Sequence, residues 1–130
     1  EGSFLNVSLD SGTRETYARI KGLDAWNQVT ENICRYKKEG GNIEAKYIIL
    51  PENCSERDIE GFVRFCQRIG IKNINVSCNI NADHAALPEE IVNAAINLTK
   101  LAEAYGAAVK VLPYFGDENM KLIMKEIGRE

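Results

Sequence analysis

Four short runs of this chain alternate apolar and polar residues, yet segments of helical periodicity separate them, an order in which the strands pair in parallel. The runs are Phe4 to Asp10, Ile43 to Leu50, Lys72 to Ile80 and Ala107 to Leu112. Strand side chains point to opposite faces with a period of two. Leu5, Val7 and Leu9 therefore oppose Asn6, Ser8 and Asp10. Ala45, Tyr47 and Ile49 oppose a mixed face carrying Glu44 and Lys46. Ile74, Val76, Cys78 and Ile80 oppose Asn75, Ser77, Asn79 and Asn81, and Val109 and Val111 oppose Lys110. Parallel sheets with helices on both faces have strands that are apolar throughout. One good apolar face per strand puts the helices on one side only.

The intervening segments carry matching boundary signals. Trp26, Val29, Ile33 and Tyr36 form a stripe that ends in Lys37-Lys38-Glu39-Gly40-Gly41, cations and then glycine. Ser55 with Asp58 resembles a capping box ahead of Ile59, Phe62, Val63, Cys66 and Ile69, and Gly70 closes that helix. Pro88, Glu89 and Glu90 suit a first turn before Ile91, Ala94, Ala95, Leu98, Ala102 and Tyr105. Asp117 is placed to cap a last helix burying Met120, Ile123, Met124 and Ile127. The expected fold is α/β: four successive βα units with a parallel sheet, an arc of a partial TIM-like (β/α) barrel with helices on one face and a polar concave wall. The alternative is an open sheet whose second face meets solvent or another subunit.

A whole (β/α) barrel takes about 250 residues, and this chain has 130. Residues 1–130 are therefore expected to be a single domain and a fragment of a longer protein. An arc exposes two strand edges, which favours a homodimer or closure by missing segments. Net charge is −3, with lysine and arginine scattered among acids, so nothing favours nucleic acid. No apolar run approaches the roughly 20 residues of a membrane span. Cys34, Cys54, Cys66 and Cys78 contain no close pair of the kind that holds a metal, which points to reduced thiols and the cytoplasm. Cys54, in a loop, is the candidate for an exposed thiol. Sequons at Asn6, Asn53, Asn75 and Asn97 are coincidental, since three fall inside expected strands or a helix.

Ligands of (β/α) folds gather at the carboxyl ends of the strands. That rim gathers Ser8 and Asp10 with Ser11-Gly12-Thr13, Lys46 below Pro51-Glu52-Asn53, and Ser77, Asn79 and Asn81. His84 beside Asp83, and Tyr114 with Phe115, complete it. Asp10 serves equally as a turn or cap residue, and His84 reads better as a loop residue than as a catalyst. A lysine inside a strand must neutralise, pair with an acid or reach an anion. Glu44 offers Lys46 a structural partner on the same face.

The stretch from Val7-Ser8-Leu9-Asp10 through Ser11-Gly12-Thr13-Arg14-Glu15-Thr16-Tyr17 to Lys21-Gly22 resembles the middle of a radical S-adenosylmethionine domain. Ile43 to Asn53 is similar to that family's next strand and loop, with the lysine inside the barrel. The resemblance covers residues 4–80; beyond them only the βα rhythm continues. It implies a partial (β/α)₆ barrel, a short helix after Gly12, and cofactor contacts from Ser8 and Asp10 (ribose or methionine), Lys46 (carboxylate or a substrate anion), and Ser77 and Asn79 (adjacent wall). Both S-adenosylmethionine and a 4Fe–4S cluster are implied for the parent, in which cofactor cleavage would yield a deoxyadenosyl radical. The family's C-x-x-x-C-x-x-C loop and Gly-Gly-Glu stretch have no counterpart here. This chain is thus expected to hold no metal, bind neither group tightly and be inactive without the N-terminal half of the barrel. A non-catalytic α/β binding or assembly module, and an ordinary (β/α) small-molecule enzyme using Lys46, are the alternatives.

Overall fold

A computed structural model of the chain describes residues 4–79 and 87–129. The elements run β1 (Phe4–Ser8), α1 (Arg14–Lys21), α2 (Trp26–Lys38), β2 (Asn42–Ile49), α3 (Glu56–Ile69), β3 (Asn73–Cys78), α4 (Glu89–Ala104), β4 (Ala108–Val111) and α5 (Asp117–Glu126). The four strands form one parallel sheet in the order β1-β2-β3-β4. Strands laid down in sequence order with right-handed crossovers carry every helix on the same side. The expected arc of βα units is therefore present, and its first unit holds two helices where hydrophobic periodicity alone indicates one.

Local chemistry sets the boundaries. The Thr13 hydroxyl accepts the Thr16 amide at the start of α1, and Gly22 ends that helix at φ 73°. The Ser55 hydroxyl accepts the Asp58 amide at the start of α3, and Gly70 ends it at φ 83°, where glycine carries no steric penalty. Asp117 is the first residue of α5, whose N-cap is Gly116, so it supplies first-turn charge in place of a cap.

The core lies between sheet and helices. Ile43, Ala45, Tyr47 and Ile49 of β2, with Ile74, Val76 and Cys78 of β3, are buried beneath Ile59, Phe62 and Cys66 of α3 and Ala95, Leu98 and Ala102 of α4. Tyr47 meets Phe62 edge to face at 4.8 Å between ring centroids. The loop before α1 closes on α3 so tightly that a Cβ on Gly12 would lie 1.9 Å from the Asp58 carbonyl oxygen. Only glycine fits there.

Candidate functional site

The open face is built by register. Parallel pairing sets Ser8, Lys46, Asn75 and Lys110 side by side across all four strands, and one step earlier Asn6, Glu44, Asn73 and Ala108. With strands about 4.8 Å apart, Lys46 and Lys110 stand about 10 Å apart across Asn75. Ile48 and Ser77 form the next row toward the carboxyl ends. None of Glu44, Lys46 or Lys110 makes an ion pair among the described residues. Lys46 is half-buried and Lys110 exposed. The Glu44–Lys46 pairing open at the sequence level does not form. A shallow cavity of about 190 Å³ lies between Glu44, Asn73, Asn75 and Lys110. Small-molecule pockets usually span about 300–1,000 Å³, so this face alone does not enclose one.

The rim at the carboxyl ends is organised differently. β1 ends at Ser8, and Asp10 turns to φ 54°, an unusual conformation for a residue with a side chain. Asp10 thus leaves the face it was expected to share with Ser8. Its Oδ1 accepts the Ile48 amide at 2.7 Å, continuing the β1–β2 ladder with a side chain where the backbone has left it. Its Oδ2 takes the Lys21 ammonium at 3.0 Å. Asn53 locks the same corner: Nδ2 donates to the carbonyls of Asp10 and Ile48, and Oδ1 accepts the Leu50 amide. The Tyr47 hydroxyl donates to the Asn53 carbonyl at 2.7 Å, and burial raises its pKa.

Asp58 ties the first unit to the second. Its Oδ1 accepts the Gly12 amide and the Thr13 hydroxyl; its Oδ2 accepts the hydroxyls of Thr16, at 2.8 Å, and Ser55. The Gly12-Thr13 and Thr16 motif is therefore anchored by a buried carboxylate more than 40 residues away in sequence. The sequence pattern exposes Asp58 only as a helix-start residue.

Of the expected site residues, Ser8 and Lys46 are brought together as ladder partners. Ser77 is buried, its hydroxyl donating to the Cys78 carbonyl at 3.1 Å, and Asn79 is exposed just beyond β3. His84, Asp83 and Asn81 lie outside the described residues. Asn73, Asn75 and Lys110 join the wall through register; only the alternation of their strands marks them in the sequence. Asn53 is fully buried, which rules out a glycan there.

The thiols are dispersed. Cys34 is on α2, Cys66 is buried on α3, Cys78 ends β3, and Cys54 follows the β2 loop. Burial pushes the Cys66 thiol up to about 12. Burial, and then the charge of Glu90, raises that of Cys54, so the expected candidate for an exposed thiol is half-buried and held protonated. Thiols on four separate elements do not fit an iron–sulfur cluster, which needs converging thiolates.

No family profile matches the chain, and no solved structure matches it. It is 33% identical over 99 residues to A-kinase anchor protein 6 of Rattus norvegicus. That match takes in 67% of this chain and 4% of the anchor protein. No described helix is long and apolar enough to cross a membrane.

Proposed function

We propose that this chain is part of a radical S-adenosylmethionine barrel, supplying one wall of the cofactor and substrate cavity and inactive without the segment that carries the cluster. One observation carries the reading: a parallel βα arc presents Ser8, Lys46, Asn75 and Lys110 in register on a face that no helix covers. A zwitterionic sulfonium ligand needs both charge signs and hydrogen-bonding groups, and Glu44, Lys46 and Lys110 are free to meet it. Ser8 and Lys46 are the inner contacts. Asp10 acts chiefly by positioning the β1 corner, and Ser77 and Asn79 complete the wall toward the rim. The reading places the parent in the cytoplasm. The test is anaerobic reconstitution of the full-length parent. Iron–sulfur absorbance and deoxyadenosine are expected, and a well-folded parent yielding neither would sink the proposal.

The partial similarity to an anchor protein favours a second reading, a non-catalytic binding or assembly module whose polar wall is an interface. Lys46→Ala and Lys110→Ala separate the two. An interface role predicts a changed oligomer mass. A ligand role predicts unchanged mass and lost cofactor binding in the parent.

A further inference from the structure

The shallow cavity on the open face has a chemistry of its own. Glu44 and Lys110 stand at opposite corners of it, two strands and two residues apart, which sets their Cα atoms about 12 Å apart. Asn73, in register with Glu44, and Asn75, in register with Lys110, lie between them on β3. None of these four side chains makes an ion pair or a hydrogen bond among the described residues. The hollow has a local cause: Ala108, in register with Asn73, is exposed and ends at Cβ, where the surrounding positions carry longer polar chains. One acid, one base and two carboxamides thus border a gap of about 190 Å³.

Position along the strands separates this cavity from the expected cofactor contacts. Asn73 and Ala108 are the first residues of β3 and β4. Ser77 lies four residues further on, about 13 Å toward the carboxyl ends, and Ser8 and Lys46 lie outside the cavity's lining.

We propose that this cavity binds the head of a substrate that is a free α-amino acid, its ammonium on Glu44 and its carboxylate on Lys110, with the Asn73 and Asn75 carboxamides orienting both groups. A lone anion would be repelled by Glu44 and a lone cation by Lys110, so a zwitterion alone satisfies both corners. Size agrees, since pockets that take a whole drug-sized ligand span about 300–1,000 Å³. A smaller hollow suits a head of a few atoms, with the rest of the substrate lying along the wall toward Ser77. That the ligand is a substrate rests on the cofactor reading, whereas its chemistry rests on the cavity. S-adenosylmethionine carries the same head, and the two sources are told apart by their affinities.

The test is a titration of the 130-residue chain followed by nuclear magnetic resonance at the Asn73 and Asn75 side-chain amides, with glycine, acetate and ethylammonium as probes. Glycine is expected to saturate in the millimolar range, as suits a ligand of few atoms. Acetate and ethylammonium should each bind at least about tenfold more weakly. Glu44→Gln and Lys110→Met should each weaken glycine roughly tenfold, and Ala108→Leu should abolish its binding with both charges in place. Far-UV circular dichroism checks that each variant is folded; should Ala108→Leu unfold, the probe comparison and the two charge variants decide. No saturable shift with glycine up to roughly 100 mM, or acetate binding as tightly as glycine, would overturn the proposal. S-adenosylmethionine is expected to bind these amides no more tightly than glycine. Binding roughly tenfold tighter would give the cavity to the cofactor, which overturns the substrate assignment and supports the cofactor reading. A parent yielding neither cluster absorbance nor deoxyadenosine would sink the cofactor reading and leave the amino-acid site in place on a binding module.

Discussion

The two faces of this sheet come from the same strands, one residue out of phase, and they are finished in opposite ways. Beneath the helices, Tyr47, Ile49, Ile74 and Val76 are almost fully buried and close-packed. On the other face, Glu44, Lys46 and Lys110 have no ion-pair partner among the described residues. Charges left unpaired on a face that no helix covers contribute little to folding. The difference separates two jobs: the covered face specifies the fold, and the open face is free to specify what is bound. Between them, at the carboxyl ends, buried Asp10, Asn53 and Asp58 fix the loops that frame the wall.

The largest expected effect belongs to the covered face. Phe62 is fully buried against Tyr47 and lies at the close approach of Gly12 and Gly61. Phe62→Ala should cost roughly 3–5 kcal/mol in urea unfolding. A loss below about 1 kcal/mol would mean that the core is loosely packed, and the contrast between faces would fail.

Next comes the rim. Asp58→Ala leaves the Gly12 amide and the hydroxyls of Thr13, Thr16 and Ser55 without their acceptor. The cost should be about 2–4 kcal/mol, with amide exchange rising first in α1. An exchange pattern unchanged in α1 would show that Asp58 does not anchor the first unit.

These two residues also mark how far the sequence could be read. Phe62 follows from helical periodicity, and the caps at Ser55 and Gly70 follow from residue types whose local chemistry acts within a few positions. Asp58 is visible only as a first-turn acid, because its hydroxyl partners on α1 come close only after β1, β2 and α3 have packed. Asp10 misleads for a related reason. Its place in an alternating run says strand and Ser11-Gly12-Thr13 behind it says turn, and the choice falls to the Ile48 amide and Lys21, which come close only in the folded chain. The open wall was half legible: alternation assigns Lys46 and Asn75 to the polar face, but only register shows that Ser8, Lys46, Asn75 and Lys110 form one row.

A smaller effect should appear with pH, again on the covered face. Burial raises the Cys66 thiol from 9.0 to about 12, while the unfolded chain ionises near the ordinary value. A group whose folded pKa is raised keeps its proton longer in the native state. Its contribution is therefore full below the unfolded pKa and is lost as pH climbs toward the folded one. Each such group steepens the fall by about 1.4 kcal/mol per pH unit. Tyr47 and Tyr105 are raised by burial in the same sense and add to the loss above pH 10. The urea midpoint should hold steady below about pH 9 and then drop, with a shallower drop in Cys66→Ala. Equal slopes in the two proteins would show that the thiol is not held neutral by its burial.

The smallest effect should come from the open face, where a null result is informative. Lys46→Ala and Glu44→Ala should each change stability by less than about 0.5 kcal/mol, as expected for groups outside any packed or paired network. Their double-mutant cycle should show coupling below about 0.3 kcal/mol. The two residues share a face two positions apart on β2, so a flexible lysine could in principle fold back onto the carboxylate. Coupling of 1 kcal/mol or more would mean that the pair neutralises itself and that the wall is a structural surface. Coupling near zero would leave a half-buried cation beside Asn75 with no partner from its own chain, as a surface that awaits an anion requires.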